Sequence, residues 1–91
     1  GISPEVAKFL AKKDVLAVGA DTYGLDVQPP VDPNDIHSGH TVLLKENGIY
    51  ILENMNTGPL AKDEAYKFLF ILGQAKVRGA VQMIINPIAI R

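Results

Sequence analysis

Two short apolar runs, Val15-Leu16-Ala17-Val18-Gly19-Ala20 and Ile49-Tyr50-Ile51-Leu52, constrain this chain most. Both are short and bounded by turn formers, so both are expected to be strands. The first is apolar at every position, the pattern of a strand covered on both faces, and the second is rich in β-branched and aromatic residues. The stretch between them is too long for a hairpin and contains a helical pattern of its own. Parallel strands joined by a right-handed crossover are therefore expected.

A further helix is predicted over about residues 4–13. Ser3 can cap a free backbone N–H, Pro4 suits the first helical position, and Glu5 favours the positive end of the helix dipole. Val6, Phe9 and Leu10 then recur at helical spacing. From Asp21 to Asp35, Gly24, three prolines and four aspartates leave no periodicity, so a long loop is expected, of the kind more often functional than idle. The crossover helix has two candidate starts, Asp32 with Pro33 or Ser38, and one stop, Asn47-Gly48. Further on, Glu64–Gly73 is apolar nearly all round and fits a buried helix or a strand. Lys76–Gly79 is turn-like, and Val81–Ile90 is strand-prone, with Pro87 at an edge or a strand start. The expected fold class is α/β (α+β), a mixed sheet with flanking helices.

Composition excludes several functions. A chain of 91 residues is at most one small domain with a marginal core. Without cysteine it has no thiol catalysis, zinc ribbon or iron–sulfur ligation, and a reducing, cytoplasmic setting is expected. Nine Lys and Arg against ten Asp and Glu, with no basic cluster, argue against nucleic acid. No apolar run approaches the roughly 20 residues of a membrane span, and no secretory pattern is visible. The start Gly1-Ile2-Ser3 lacks Met, which suggests a piece of a longer chain. Hydrophobic content of 47%, with Tyr66–Leu72 and Met83–Ile90 largely apolar, implies a partner surface: the rest of the same polypeptide or a second copy, a homo-oligomer.

The crossover topology brings the carboxyl ends of both strands and the amino end of the crossover helix to one sheet edge, where open α/β sheets bind ligands. Three titratable groups are expected there: Asp21, His40 and Glu53. Strand alternation puts Glu53 on the face of Ile49 and Ile51, where an ionised carboxylate needs a partner or a cation unless it reaches solvent at the rim. His40 lies on the stripe of Leu43 and Leu44, either as a ligand or proton shuttle or as a core-edge histidine bonded to a carbonyl. His37 and His40 could share a metal on a continuous helix, but Gly39 argues against continuity and favours His40 alone. Asp21-Thr22 offers a carboxylate and a hydroxyl, or simply a turn. Asp26, Asp32 and Asp35 are expected to be turn and cap residues. No phosphate-binding glycine motif or nucleophile elbow occurs.

Gly1-Ile2-Ser3 with its helix, Val18-Gly19-Ala20-Asp21-Thr22 with Leu25-Asp26, His40-Thr41-Val42-Leu43-Leu44, and above all Asn47 to Met55 follow one another in a telling order. Together they resemble the C-terminal half of the kynurenine formamidase-like cyclase family, which includes arylformamidases and isatin hydrolase. The resemblance implies part of a swivelling β/β/α fold and a divalent metal, zinc or manganese, used to hydrolyse an amide-type C–N bond. N-formylkynurenine and isatin-like cyclic amides are examples of such substrates. It also implies that His40 is an active-site histidine, that Glu53 helps bind the metal with His40, and that Asp21, Thr22 and Asn54 line the pocket. The family's main metal motif, His-x-Gly-Thr-His-x-Asp-x-Pro, is absent, and His37-Ser38-Gly39-His40 does not replace it. The expectation is a C-terminal portion that supplies part of an active site and is inactive by itself. The competing expectation is a non-catalytic, self-associating or binding domain.

Overall fold

In the computed structural model, which describes residues 1–91, Ser3 and Pro4 start the first helix as the sequence predicts. Helix α1 spans Pro4–Lys12; the Ser3 hydroxyl accepts the Val6 N–H at 3.4 Å, and the helix is over when Asp14 takes a positive φ of 54°. Its inward stripe is Ala7, Leu10 and Ala11, one residue out of step with the expected Val6, Phe9 and Leu10. Fully buried Ala7 is small enough to let α1 sit close on the core, which turns Val6 and Phe9 towards solvent.

Strands β1 (Ala17–Gly19) and β2 (Tyr50–Leu52) pair in parallel, in the register Ala17 to Tyr50, Val18 to Ile51 and Gly19 to Leu52. β1 is shorter than the apolar run that encodes it, and the run is not covered throughout: Leu16, just before the strand, is 78% exposed, and Gly19 within it is exposed. The sheet has only these two strands.

The crossover helix takes the later of its two starts. Asp32 instead makes a turn, its Oδ1 accepting the Asn34 N–H at 2.8 Å. Helix α2 covers Ser38–His40, with His37 at the cap position, and continues as a π-helical segment, Thr41–Glu46. Gly39 therefore lies within the helix and does not break it. The wider π turn sends Leu43 fully inward while Leu44 stays 44% exposed, so the expected Leu43–Leu44 stripe is split. The helix stops at Gly48, whose φ of +65° only glycine adopts at low cost. A hydrogen bond from Ile49 N to Leu43 O, 2.8 Å, feeds the chain directly into β2.

The loop between β1 and the helix is not simply a surface loop. Ile2 forms a parallel bridge with Asp26, through Ile2 N to Leu25 O at 2.8 Å and Val27 N to Ile2 O at 3.0 Å. This pulls Leu25 into the core with Ala7, Val42, Leu43 and Ile49.

These elements belong to one of two units, Gly1–Thr57; the other is Gly58–Arg91. The second unit contains the short helix α3 (Gly58–Lys62) and strands β3 (Leu69–Ile71) and β4 (Ile88–Ile90), which pair antiparallel with Phe70 opposite Ala89. The ambiguous segment Glu64–Gly73 thus yields a strand, and all three residues of β3 are exposed rather than buried. β4 begins directly after Pro87, and Gly79 turns the chain at a φ of +80°. Arg91 pairs with Asp63. The chain is α+β, with short helices and two small sheets, and no helix is long and apolar enough to cross a membrane.

Candidate metal centre

The first turn of the crossover helix carries the site. Because Gly39 and His40 are helical and the Ile2 bridge fixes the loop beside them, the Asp26 carboxylate meets both. One oxygen, Oδ1, accepts the Gly39 N–H, and the other, Oδ2, pairs with His40 Nδ1. Asp26 is only 8% exposed, so its charge depends on these two donors. Gly39 is required for the approach: a Cβ there would lie 2.5 Å from Asp26 Oδ1.

Glu53 follows the last residue of β2 and turns towards the same ring. Its Oε1 accepts the Leu25 N–H at 2.9 Å and lies 3.4 Å from His40 Nε2. The carboxylate is half-buried and pairs with His40 rather than with a lysine. In the neutral tautomer whose Nδ1–H donates a hydrogen bond to Asp26, the ring lone pair lies on Nε2. Two acceptors then face each other across 3.4 Å. That spacing is longer than an ordinary N–H···O bond. It matches the distance of about 3.3 Å between two ligands of one tetrahedral ion with bonds of about 2.0–2.1 Å.

His37 lies one helical turn before His40, and the two rings meet edge to face with centroids 5.7 Å apart. One donor atom from each of Asp26, His37 and His40 lies within 4.8 Å of the other two. These residues form a group that could hold a metal ion. Asp26 was expected to be a turn residue and His37 to be cut off by Gly39; neither holds. The Asp26 contact depends on a non-local pairing with Ile2, and the His37 contact on a helical Gly39. Local pattern encodes neither.

Asp21, Thr22 and Asn54 gather where β1 and β2 end, and all three are exposed. The Asp21 carboxylate accepts the Thr57 hydroxyl at 3.3 Å, the Thr22 hydroxyl donates to Gly24 O at 2.7 Å, and Asn54 N donates to Thr22 O at 3.0 Å. The Thr22–Gly24 bond is that of a turn and the other two tie the strand ends together, and none of their side-chain hydrogen bonds reaches His40 or Glu53. The sequence-predicted pair His40 and Glu53 is thus brought together, while Asp21 stays apart from it in hydrogen bonding.

Comparison with protein-family models, with curated proteins and with solved structures finds no match for this chain.

Proposed function

We propose that the chain supplies part of the active site of a metal-dependent hydrolase acting on an amide-type C–N bond, of the kynurenine formamidase-like cyclase kind that its sequence resembles. The observation that carries the proposal is the facing pair of His40 Nε2 and Glu53 Oε1, 3.4 Å apart and each held by a further hydrogen bond. Asp26 anchors the imidazole, and the Leu25 N–H anchors the carboxylate. Ligands of catalytic metals are held in this way by outer hydrogen bonds.

Glu53 and His40 are the residues that would hold a divalent ion, zinc or manganese. Such an ion supplies Lewis-acid activation of the amide carbonyl and of water. Asp26 fixes the tautomer of His40. The single lone pair on Nε2 can bind the cation beside Glu53, or it can carry a proton to the leaving nitrogen of a small amide substrate. Two protein ligands are fewer than the usual three, so the proposal includes ligands from the rest of the polypeptide or from a second copy. The test is metal content and amidase activity of the natural full-length protein. Glu53→Gln should lower zinc or manganese content and abolish hydrolysis of N-formylkynurenine and cyclic amides; full metal content and activity in that variant would refute the assignment.

One observation favours a second proposal, a non-catalytic self-associating domain. β3 and β4 leave Leu69, Phe70, Ile71, Ile88 and Ile90 exposed on a two-stranded ribbon. Such a ribbon rarely stands alone in water. Under this proposal Phe70→Lys reduces self-association in sedimentation while metal binding by the histidine region is irrelevant to it. A monomer at all concentrations before substitution would end this proposal.

A further inference from the structure

The geometry points to a transition-metal site made by Asp26, His37 and His40, distinct from the facing pair of His40 and Glu53. Its ligands come from two segments only, the loop bridged to Ile2 and the first turn of the crossover helix. Two histidines three residues apart on one helical turn present their rings to the same side, and here they are in contact at 5.7 Å. Asp26 closes the group from the buried side, and His37 is its exposed mouth.

The distances allow closure. Donor atoms lie within 4.8 Å of one another, whereas three ligands of one ion sit about 3.3 Å apart. The exposed His37 side chain can rotate inward to cover that difference, and Asp26 and His40, already in contact, separate slightly as the ion enters. Asp26 keeps its second oxygen on the Gly39 N–H throughout, so the carboxylate stays oriented. Two imidazoles and one carboxylate prefer zinc, cobalt, nickel or ferrous ions to magnesium or calcium.

The site has a consequence for His40. Asp26 faces Nδ1, so an ion seated here takes the Nδ1 lone pair and leaves the ring proton on Nε2, pointing at Glu53 Oε1. No atom is gained or lost; the proton moves from one ring nitrogen to the other. A neutral imidazole has one lone pair, so this site and the Nε2 role in the proposed hydrolase exclude each other. Metal at Asp26, His37 and His40 is therefore inhibitory if the hydrolase reading is right. The site itself does not depend on that reading.

The test is zinc titration of the full chain by calorimetry, with cobalt(II) absorption as a second probe of ligand number. One zinc per chain is expected, with magnesium not competing. His37→Ala should weaken binding by at least about tenfold, since losing a ligand costs no less than losing an outer-shell partner. As His37 is exposed, its far-ultraviolet dichroism should be unchanged. With the ion on Asp26, His37 and His40, Glu53→Gln should leave zinc affinity within about threefold, a difference well under 1.4 kcal/mol, whereas an ion on the His40–Glu53 pair of the proposed hydrolase is lost in that variant. Absence of zinc binding, or unchanged affinity in His37→Ala, overturns the site. If Glu53→Gln alone removes binding, the ion sits on the His40–Glu53 pair; the site inferred here then fails and the hydrolase proposal gains. If His37→Ala alone removes it, the reverse holds.

Discussion

Asp26 and His40, fourteen residues apart in sequence, are joined through the carboxylate's Oδ2 and the imidazole's Nδ1, while the other carboxylate oxygen holds the backbone N–H of Gly39. One side chain thus fixes both the start of a helix and the orientation of the ring that the helix presents. The carboxylate suits this role because it has two acceptor oxygens and no donor.

The first prediction follows from that chemistry. An amide has one oxygen and one NH2, so Asp26→Asn keeps the Gly39 N–H paired only if the His40 proton moves to Nε2 and Nδ1 accepts the amide N–H; otherwise a donor is left unpaired. A buried donor left unpaired costs about 1–3 kcal/mol. Urea denaturation should show a loss of that size. Nitrogen NMR of the His40 ring should show a mixture of tautomers where one form dominated; unchanged ring shifts would mean that Asp26 does not set the tautomer.

Gly39→Ala tests the same contact from the other side. Its Cβ would lie 2.5 Å from Asp26 Oδ1, so the carboxylate must withdraw. Alanine favours helix by up to about 1 kcal/mol over glycine, and the expected net result is nevertheless destabilisation, by about 1–2 kcal/mol, because a buried charge loses a donor. Greater stability measured for Gly39→Ala would show that Asp26 is free to move.

Leu43 is fully buried beside Leu25 and Ile49, and its carbonyl receives the Ile49 N–H that starts β2. Leu43→Ala should cost about 3 kcal/mol. A unit of this size has only about 3–9 kcal/mol of stability, so between about a third and all of the margin is lost and thermal unfolding moves sharply downward. Leu44→Ala, on the exposed side of the π turn, should change stability by less than about 1 kcal/mol. Equal losses in the two variants would contradict the π winding.

At the start of α1, Ser3→Ala should cost about 1 kcal/mol through loss of the cap on Val6 N–H. The Ser3 side chain also lowers the Glu5 carboxyl below its ordinary 4.5, with a hydrogen bond from the Glu5 backbone N–H and the charge of Lys8 adding to this. A depressed carboxyl contributes stability that is present above its unfolded value and lost as pH falls through the folded one. Stability of the unsubstituted chain should therefore fall below pH 4.5 in part through Glu5. In Ser3→Ala that part of the acid slope should flatten, as denaturant midpoints measured across this window would show.

The helix ends and the strand pairing were legible in the sequence. The cap at Ser3, the stop at Gly48 and the parallel pairing of the two apolar runs all follow from spacing and backbone chemistry that act within a few residues or between obvious strands. The approach of His40 to Glu53 was legible too, because parallel topology puts a helix start and a strand end at one edge. The partners that complete the arrangement were not. Asp26 resembles any loop aspartate until Ile2 pairs with it and draws Leu25 into the core. In the sequence a glycine stands between His37 and His40, and only the structure makes that glycine helical, held by the same Asp26. Sequence by itself determined the first helix, the parallel strand pair and where two ionisable residues meet, while leaving Glu64–Gly73 open between helix and strand. Tertiary structure decided which aspartate is buried and which histidines touch, because those contacts arise from pairings between distant segments that no local period records.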